Sequence, residues 1–443
     1  IWDWVDQGIY APGTNHVLYG GDFGDKPNLK AFCLNGVVFS DRSVSAKYQE
    51  VKHVYAPVWI TQKGDEIWVK NHHSHLSLEG FSCQYQVTKN GVVGQESVLK
   101  MPSVQPGDSA KLCSLHDFKA YKNTDSRLNI SVISQQGVEV GREQIALSDN
   151  LYEAGWKLAA DAMKRYKSSR RLATLSTAEL LARNFSVIPQ FFRAPTDNDK
   201  SFGNWIAKDW KKTHLDSTLS AIPLKDGEYV YHYGEDGASD KAGSSASAKS
   251  GGNIRLRLEV APQQDGFVDV KATYSFEGNL PELPRLGLMM KLPRVAYDQV
   301  KWYGRGPWEN YPDRKQSCPI GWYESSVEDQ FTHYPRPQDN GNHEDCSYIE
   351  LTNKNGKNAL QVIAVGDTPL SFSALPYSVA DLYAARHDFE LKQSGNPNLR
   401  YTYLSLDCAV LGLGNSSCGP GVLKKYAIDK TKTYTLHFKM RIL

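Results

Sequence analysis

Short runs in which apolar and polar residues alternate, broken by turn signals, constrain this chain more than any other feature. Phe81-Ser-Cys-Gln-Tyr-Gln-Val87, Leu128-Asn-Ile-Ser-Val132, Asn253-Ile-Arg-Leu-Arg-Leu-Glu-Val260 and Phe267-Val-Asp-Val-Lys-Ala-Thr-Tyr274 all repeat every two residues. That period puts one face of a strand on a core and the other in solvent. Asn90-Gly91, between such runs, is a strong two-residue turn signal. Many half-buried strands joined by tight turns predict a mainly β chain built from antiparallel sandwiches. A length of 443 residues allows roughly three domains.

Two regions break the pattern. The chain opens on Ile1-Trp-Asp-Trp-Val-Asp-Gln-Gly8, which reads as a buried strand ending at a polar rim, and a Gly-rich loop follows at Tyr19-Gly-Gly-Asp-Phe-Gly-Asp25. Ala46 to His53 reads as one short helix. Residues 1–55 hold too little apolar surface for a core of their own. They are expected to be the end of a larger domain cut within its fold. From 151 to 185 the spacing turns helical, with Trp156, Ala159, Met163 and Tyr166 on one face and Ser176-Thr-Ala-Glu179 as a capping box. The Gly/Ser/Ala-rich stretch from Gly234 to Gly252 is expected to be a floppy loop between strands.

Bulk properties exclude several classes. Lys plus Arg is 51 against 49 for Asp plus Glu, so the net charge of +2 implies no nucleic acid or other polyanionic partner. The densest basic run, Lys164 to Arg171, reads as a solvated surface segment. No apolar run approaches the roughly 20 residues that a membrane helix needs. Seven widely spaced cysteines without a C-x-x-C pattern argue against a disulfide framework and a zinc ribbon. His72-His-Ser-His75 has no carboxylate at ligand spacing and reads as an exposed strand-end loop. Compartment stays open.

Longer motifs carry a resemblance. Trp2-Asp-Trp-Val-Asp-Gln7, Gly20-Gly-Asp-Phe-Gly-Asp25, Phe32-Cys-Leu-Asn-Gly36 and Asp41-Arg42 resemble the last barrel strand and following loop of a family 2 β-galactosidase. Phe192-Arg-Ala-Pro-Thr-Asp-Asn-Asp199, Tyr303-Gly-Arg-Gly-Pro-Trp-Glu-Asn-Tyr-Pro-Asp-Arg314, Pro337-Gln-Asp-Asn-Gly-Asn342 and Leu411-Gly-Leu-Gly414 resemble its C-terminal domain. They occur in the family's order. The fold implied is a remnant of a (β/α)8 barrel over residues 1–55, an immunoglobulin-like sandwich over 56–150, and a large antiparallel β-supersandwich over 151–443. The resemblance predicts strands where 151–185 reads as helix.

The activity implied is hydrolysis of terminal β-D-galactosyl residues with retention, which needs two carboxyl groups about 5 to 5.5 Å apart. In the family both are glutamates on earlier barrel strands, so no catalytic residue is assigned in this chain. Substrate contacts are. Trp2 matches the tryptophan whose face packs against the galactosyl ring, and a pyranose offers apolar C–H faces to an indole. Asn35 matches an asparagine that binds galactose and ligates Na+, and the Phe32 carbonyl matches another ligand of that ion. Carbonyl and amide oxygens suit a hard cation. The remaining Na+ ligand and those of the catalytic Mg2+ lie upstream in the family. Cys418 stands where the family brings a tryptophan to the leaving-group side, and a thiol offers a much smaller stacking face.

Other carboxylates read as scaffold. Glu309 and Asp313 lie in a Gly- and Pro-rich loop and are expected to bond backbone N–H groups. Asp197 and Asp199 read as a turn or cap, and Asp3 and Asp6 as supporting hydrogen-bond partners at the strand end. The implied partners are a β-galactoside, the N-terminal portion of the enzyme and further copies of the same protein. Two alternatives stay open: a non-catalytic sugar-binding module, and a structural half of a split galactosidase.

Overall fold

A computed structural model describes residues 2–121, 123–167, 186–200, 206–221, 224–235, 239–242, 251–263, 266–356, 359–366, 369–392, 396–415 and 419–443. It is mainly β, with the expected remnant of a barrel at its start. Strands Asp3–Val5 and Gly36–Val38 pair in parallel, with Asp3 opposite Gly36 and Val5 opposite Val38. Two parallel barrel strands are therefore present, where the sequence reading placed one. A small antiparallel pair, Ile9–Tyr10 with Val17–Leu18, lies in the connection. The expected helix follows as Ala46–Val54.

The next module is a seven-stranded sandwich. Val58–Lys63, Glu66–Asn71 and Ser109–Ser114 form one sheet; Glu139–Ser148, Ser126–Ile133, Ser82–Lys89 and Val92–Leu99 form the other. Alternation explains the packing, because every second residue of Glu66–Asn71 is buried. Ile67, Val69, Cys83, Leu128 and Val132 meet in its core. Asn90 and Gly91 both take positive φ, at 48° and 77°, as a twist-matched hairpin turn requires. The histidine cluster is dispersed. His72 lies against Trp59, whereas His73 bonds Asn71 and meets Phe81 edge-on. Among the described residues no group of three metal-ligating side chains forms.

The helical spacing after 150 is realised as an α-helix, Leu151–Lys167, with Ala154 and Ala159 buried and Trp156 edge-on to Phe267. Ser176 to Glu179 and residues 168–171 of the basic run lie outside the described residues. The rest is two large sheets, one of nine strands and one of five. The last strand, Tyr434–Ile442, sits inside the nine-stranded sheet between Val268–Gly278 and Leu360–Ala364. Leu256, Leu286, Leu288, Leu404, Leu406 and Phe438 fill the space between the sheets. Each contributes about 1.5–3 kcal/mol by leaving water. The Gly/Ser/Ala-rich stretch contains a strand where a floppy loop is expected. Ser239–Ala242 pairs with Tyr229 to His232, and residues 243–250 lie outside the described residues.

Specific polar contacts bind the three modules. Glu50 on the first helix accepts the Ser317 and Gln316 N–H groups at 3.0 and 3.2 Å. The Gln144 side chain spans both backbone groups of Ile320, at 2.8 and 2.9 Å. Asp22 of the Gly-rich loop meets His387 Nε2 at 2.7 Å, and Glu390 meets its Nδ1 at 3.0 Å. Tyr19 and Phe389 stack against that imidazole. The six described cysteines are free, and among the described residues no helix is long and apolar enough to cross a membrane.

Candidate active-site cavity

Where the barrel remnant faces the last module, a cavity of about 720 Å³ opens between them. Trp2, Asp6, Asn35 and Lys47 line it from one side; Asp197, Asn198, Arg336, Gln338 and the Leu413–Asn415 segment line it from the other. Trp2 is 77% exposed. Its indole is among the side chains that line the cavity. Asn35 donates its side-chain amide to the Phe32 carbonyl. The two groups assigned to a cation are therefore adjacent. The atoms in that contact are an amide nitrogen and a carbonyl oxygen, and rotation of the amide by half a turn would place two neutral oxygens side by side. That donor set suits an alkali cation.

Asp6, Gly36 and Lys47 support this corner. The Gly36 N–H donates to Asp6 Oδ1 at 2.6 Å, and Lys47 Nζ donates to the Gly36 carbonyl at 2.6 Å. Gly36 is required here, since a Cβ would lie 2.1 Å from the Asp6 nitrogen. Burial raises the Asp6 carboxyl above its ordinary pKa despite Lys47, and burial lowers that of Lys47 despite Asp6.

On the opposite wall, charged side chains hold the rim segment. Arg193 is fully buried and bonds Asp199 through Nε and Nη2, at 3.0 and 2.8 Å. Its Nη1 reaches the Leu411 carbonyl at 2.8 Å. Asp313 accepts the Leu413 and Gly414 N–H groups at 2.9 and 2.8 Å, while Asn198 donates to the Gly414 carbonyl at 2.7 Å. Cys418 lies outside the described residues; Asn415 and Gly419 on either side of it line the cavity.

The remaining carboxylates on the cavity wall are engaged as well. Glu309 takes Arg314 at 3.0 Å, the Tyr334 hydroxyl at 2.6 Å and the Gly341 N–H at 2.7 Å. Burial opposes its ionisation, but Arg314 and then these donors outweigh that and keep its pKa low. Asp339 accepts Tyr311 at 2.9 Å and pairs with Arg285 at 3.4 Å. Asp197 holds Gln338 at 3.1 Å and Arg336 at 3.4 Å. These groups fix walls and offer hydroxyl partners.

The structure places Trp2 and Asn35, both singled out in the sequence, on the wall of one cavity. Sequence reasoning did not find Lys47, Asn198, Arg336 or Gln338 in the site. Asn198 and Gln338 sat within quoted motifs, which gave a signal; Lys47 lay in a short helix with nothing in its spacing to mark it.

Comparison with known proteins agrees with this layout. The family described as β-galactosidase small chain matches residues 163–440, and the TIM-barrel domain of glycosyl hydrolases family 2 matches residues 1–60. A β-galactosidase of Priestia megaterium is 28% identical, and one of Lactobacillus delbrueckii subsp. bulgaricus is 29% identical. Each alignment covers 100% of this chain but 44% of the relative. The chain thus spans less than half the length of these relatives. An exo-chitosanase structure from Amycolatopsis orientalis overlaps 74% of this chain and 29% of its own, at 12% identity and a TM-score of 0.20, too low to support an argument. The family match covers well over half of the sequence and includes the rim segment of the cavity, so this chain belongs to the β-galactosidase small chain family.

Proposed function

We propose that this chain is the C-terminal part of a retaining β-galactosidase, and that it supplies walls and floor of a galactose pocket. The proton donor and the attacking carboxylate come from polypeptide upstream of the Asp3–Val5 strand. The observation that carries this reading is the exposed Trp2 indole beside Asn35, on a cavity whose carboxylates are all engaged. The indole stacks on the apolar face of the galactosyl ring, and the Asn35 amide bonds its hydroxyls. The Phe32 carbonyl and Asn35 Oδ1 would hold Na+, which would fix the orientation of those oxygens; ligands for Mg2+ belong to the upstream polypeptide. The stretch around Cys418 shapes the leaving-group side.

Nitrophenyl-galactoside hydrolysis tests the reading. The purified chain is expected to show no turnover, and turnover is expected once it forms a complex with the N-terminal portion of a β-galactosidase, judged by size-exclusion chromatography. Hydrolysis by the chain alone, or a stable complex without hydrolysis, overturns it. Calorimetry with galactose separates a binding module, since affinity of the isolated chain at millimolar or better would favour that alternative.

A further inference from the structure

We infer that Asp6 and Lys47 act as a pair of positioning residues for Asn35, by holding the two peptide groups on either side of the Gly36 Cα. The inference rests on the reading of Asn35 as a sugar and cation ligand, and extends it to two residues that line the same cavity.

The geometry is specific. Asp6 Oδ1 takes the N–H of Gly36, and Lys47 Nζ meets its C=O, each at 2.6 Å. The first bond is to the Asn35–Gly36 peptide and the second to the Gly36–Val37 peptide, so the carboxylate and the ammonium each make a charge-assisted bond to one of two successive peptide groups. Neither partner is loosely held. The Asp6 N–H donates to the Val38 carbonyl at 3.0 Å and the Gln7 N–H to that of Cys33 at 2.9 Å, which ties the Asp6 strand to both sides of Asn35. Lys47 sits in the first turn of the Ala46–Val54 helix, whose preceding residue, Ser45, is fastened to the Val37 carbonyl at 2.7 Å. Asn35 supplies the carbonyl of the first of these two peptides.

Neutral hydrogen bonds would suffice to hold a strand end. Here opposite charges are drawn out of water beside the ligand cavity, an arrangement that costs desolvation and returns geometric definition. A loosely held Asn35 would misplace its amide, and small misplacements in a binding constellation cost orders of magnitude.

The test compares Lys47→Met, Asp6→Asn, Lys47→Arg and Ser45→Ala. In the complex with the N-terminal portion, Lys47→Met and Asp6→Asn are expected to raise KM for nitrophenyl-galactoside and the Na+ concentration for half-maximal rate about tenfold. Their effect on kcat is expected to be smaller, and Lys47→Arg should restore most of the loss. Ser45→Ala removes a neighbouring bond to the same strand and should lower thermal stability without moving KM or the Na+ requirement. Amide hydrogen exchange in the isolated chain reads the grip directly: Gly36 should exchange faster in Lys47→Met and Asp6→Asn, and not in Ser45→Ala. Unchanged KM and Na+ requirement in an active Lys47→Met complex, or the same shift in Ser45→Ala, overturns the inference. An unchanged Gly36 exchange rate overturns it even if no complex hydrolyses substrate, whereas an inactive wild-type complex counts against the galactosidase reading alone.

Discussion

Trp2 has 77% of its surface in solvent, so its contribution to folding is small and its contribution to binding separable. Trp2→Ala is expected to leave the unfolding midpoint within about 0.5 kcal/mol of wild type. In the complete enzyme it should weaken the galactosyl site by on the order of 1 kcal/mol, about fivefold, as loss of one stacking face implies. Urea unfolding and galactose inhibition constants check the two halves, and a large loss of stability would mean that the indole is part of a core. At this scale the sequence was informative where a residue's chemistry is unusual. An aromatic followed by acids at a strand end stood out, as did an asparagine in a Gly-bounded motif. Lys47 did not stand out, because what makes it distinctive is the Gly36 carbonyl above it, a contact set by the fold and not by neighbours along the chain.

The rim segment illustrates how one element depends on another far away. Leu411 and Gly412 present their carbonyls to Arg193, whose charge is balanced by Asp199. Asp199 also accepts the Thr196 N–H at 2.8 Å, which is the turn that the motif suggested. Removing this carboxylate leaves a guanidinium buried without its counter-charge. Asp199→Ala should therefore cost about 3–5 kcal/mol, and Arg193→Met in the same protein should recover part of it. Chemical denaturation of both variants provides the measurement; equal losses for single and double variants would show that Asp199 acts alone. The turn was legible in Pro195-Thr-Asp-Asn-Asp199. Its partner was not, since the Arg193 contact spans 218 positions. Glu309 and Asp313 followed the expectation of carboxylates bonding backbone N–H groups, although Arg314 and Tyr334 join at Glu309.

Across the whole molecule, alternation foretold sheets but not their order. Strand Tyr434–Ile442 joins Val268–Gly278 through a pairing that no local pattern encodes. The large module also contains a buried histidine whose titration is felt globally. His343 is 1% exposed, lies against Trp302 and Phe372, and meets the Arg305 carbonyl at 3.2 Å and the side-chain amide of Gln330 at 2.6 Å. Burial lowers its pKa from 6.5 to about 4. The unfolded chain thus binds a proton near pH 6.5 that the folded chain refuses until about pH 4. Stability from this group is complete above pH 6.5 and declines as pH falls toward 4, by roughly 2.5 kcal/mol on reaching pH 4.5. Urea midpoints measured from pH 7.5 to 4.5 should show the decline, and His343→Phe should show a shallower one. An identical slope in that variant would place the acid sensitivity elsewhere.

The cavity has one wall from the barrel remnant and the other from the β-supersandwich, and those walls are separate tracts of sequence. Under the function proposed above, changes near Leu413–Asn415 would alter one wall of the cavity without touching Trp2 and Asn35 on the other. The two walls could then change independently in descent, one tract drifting while the other is held.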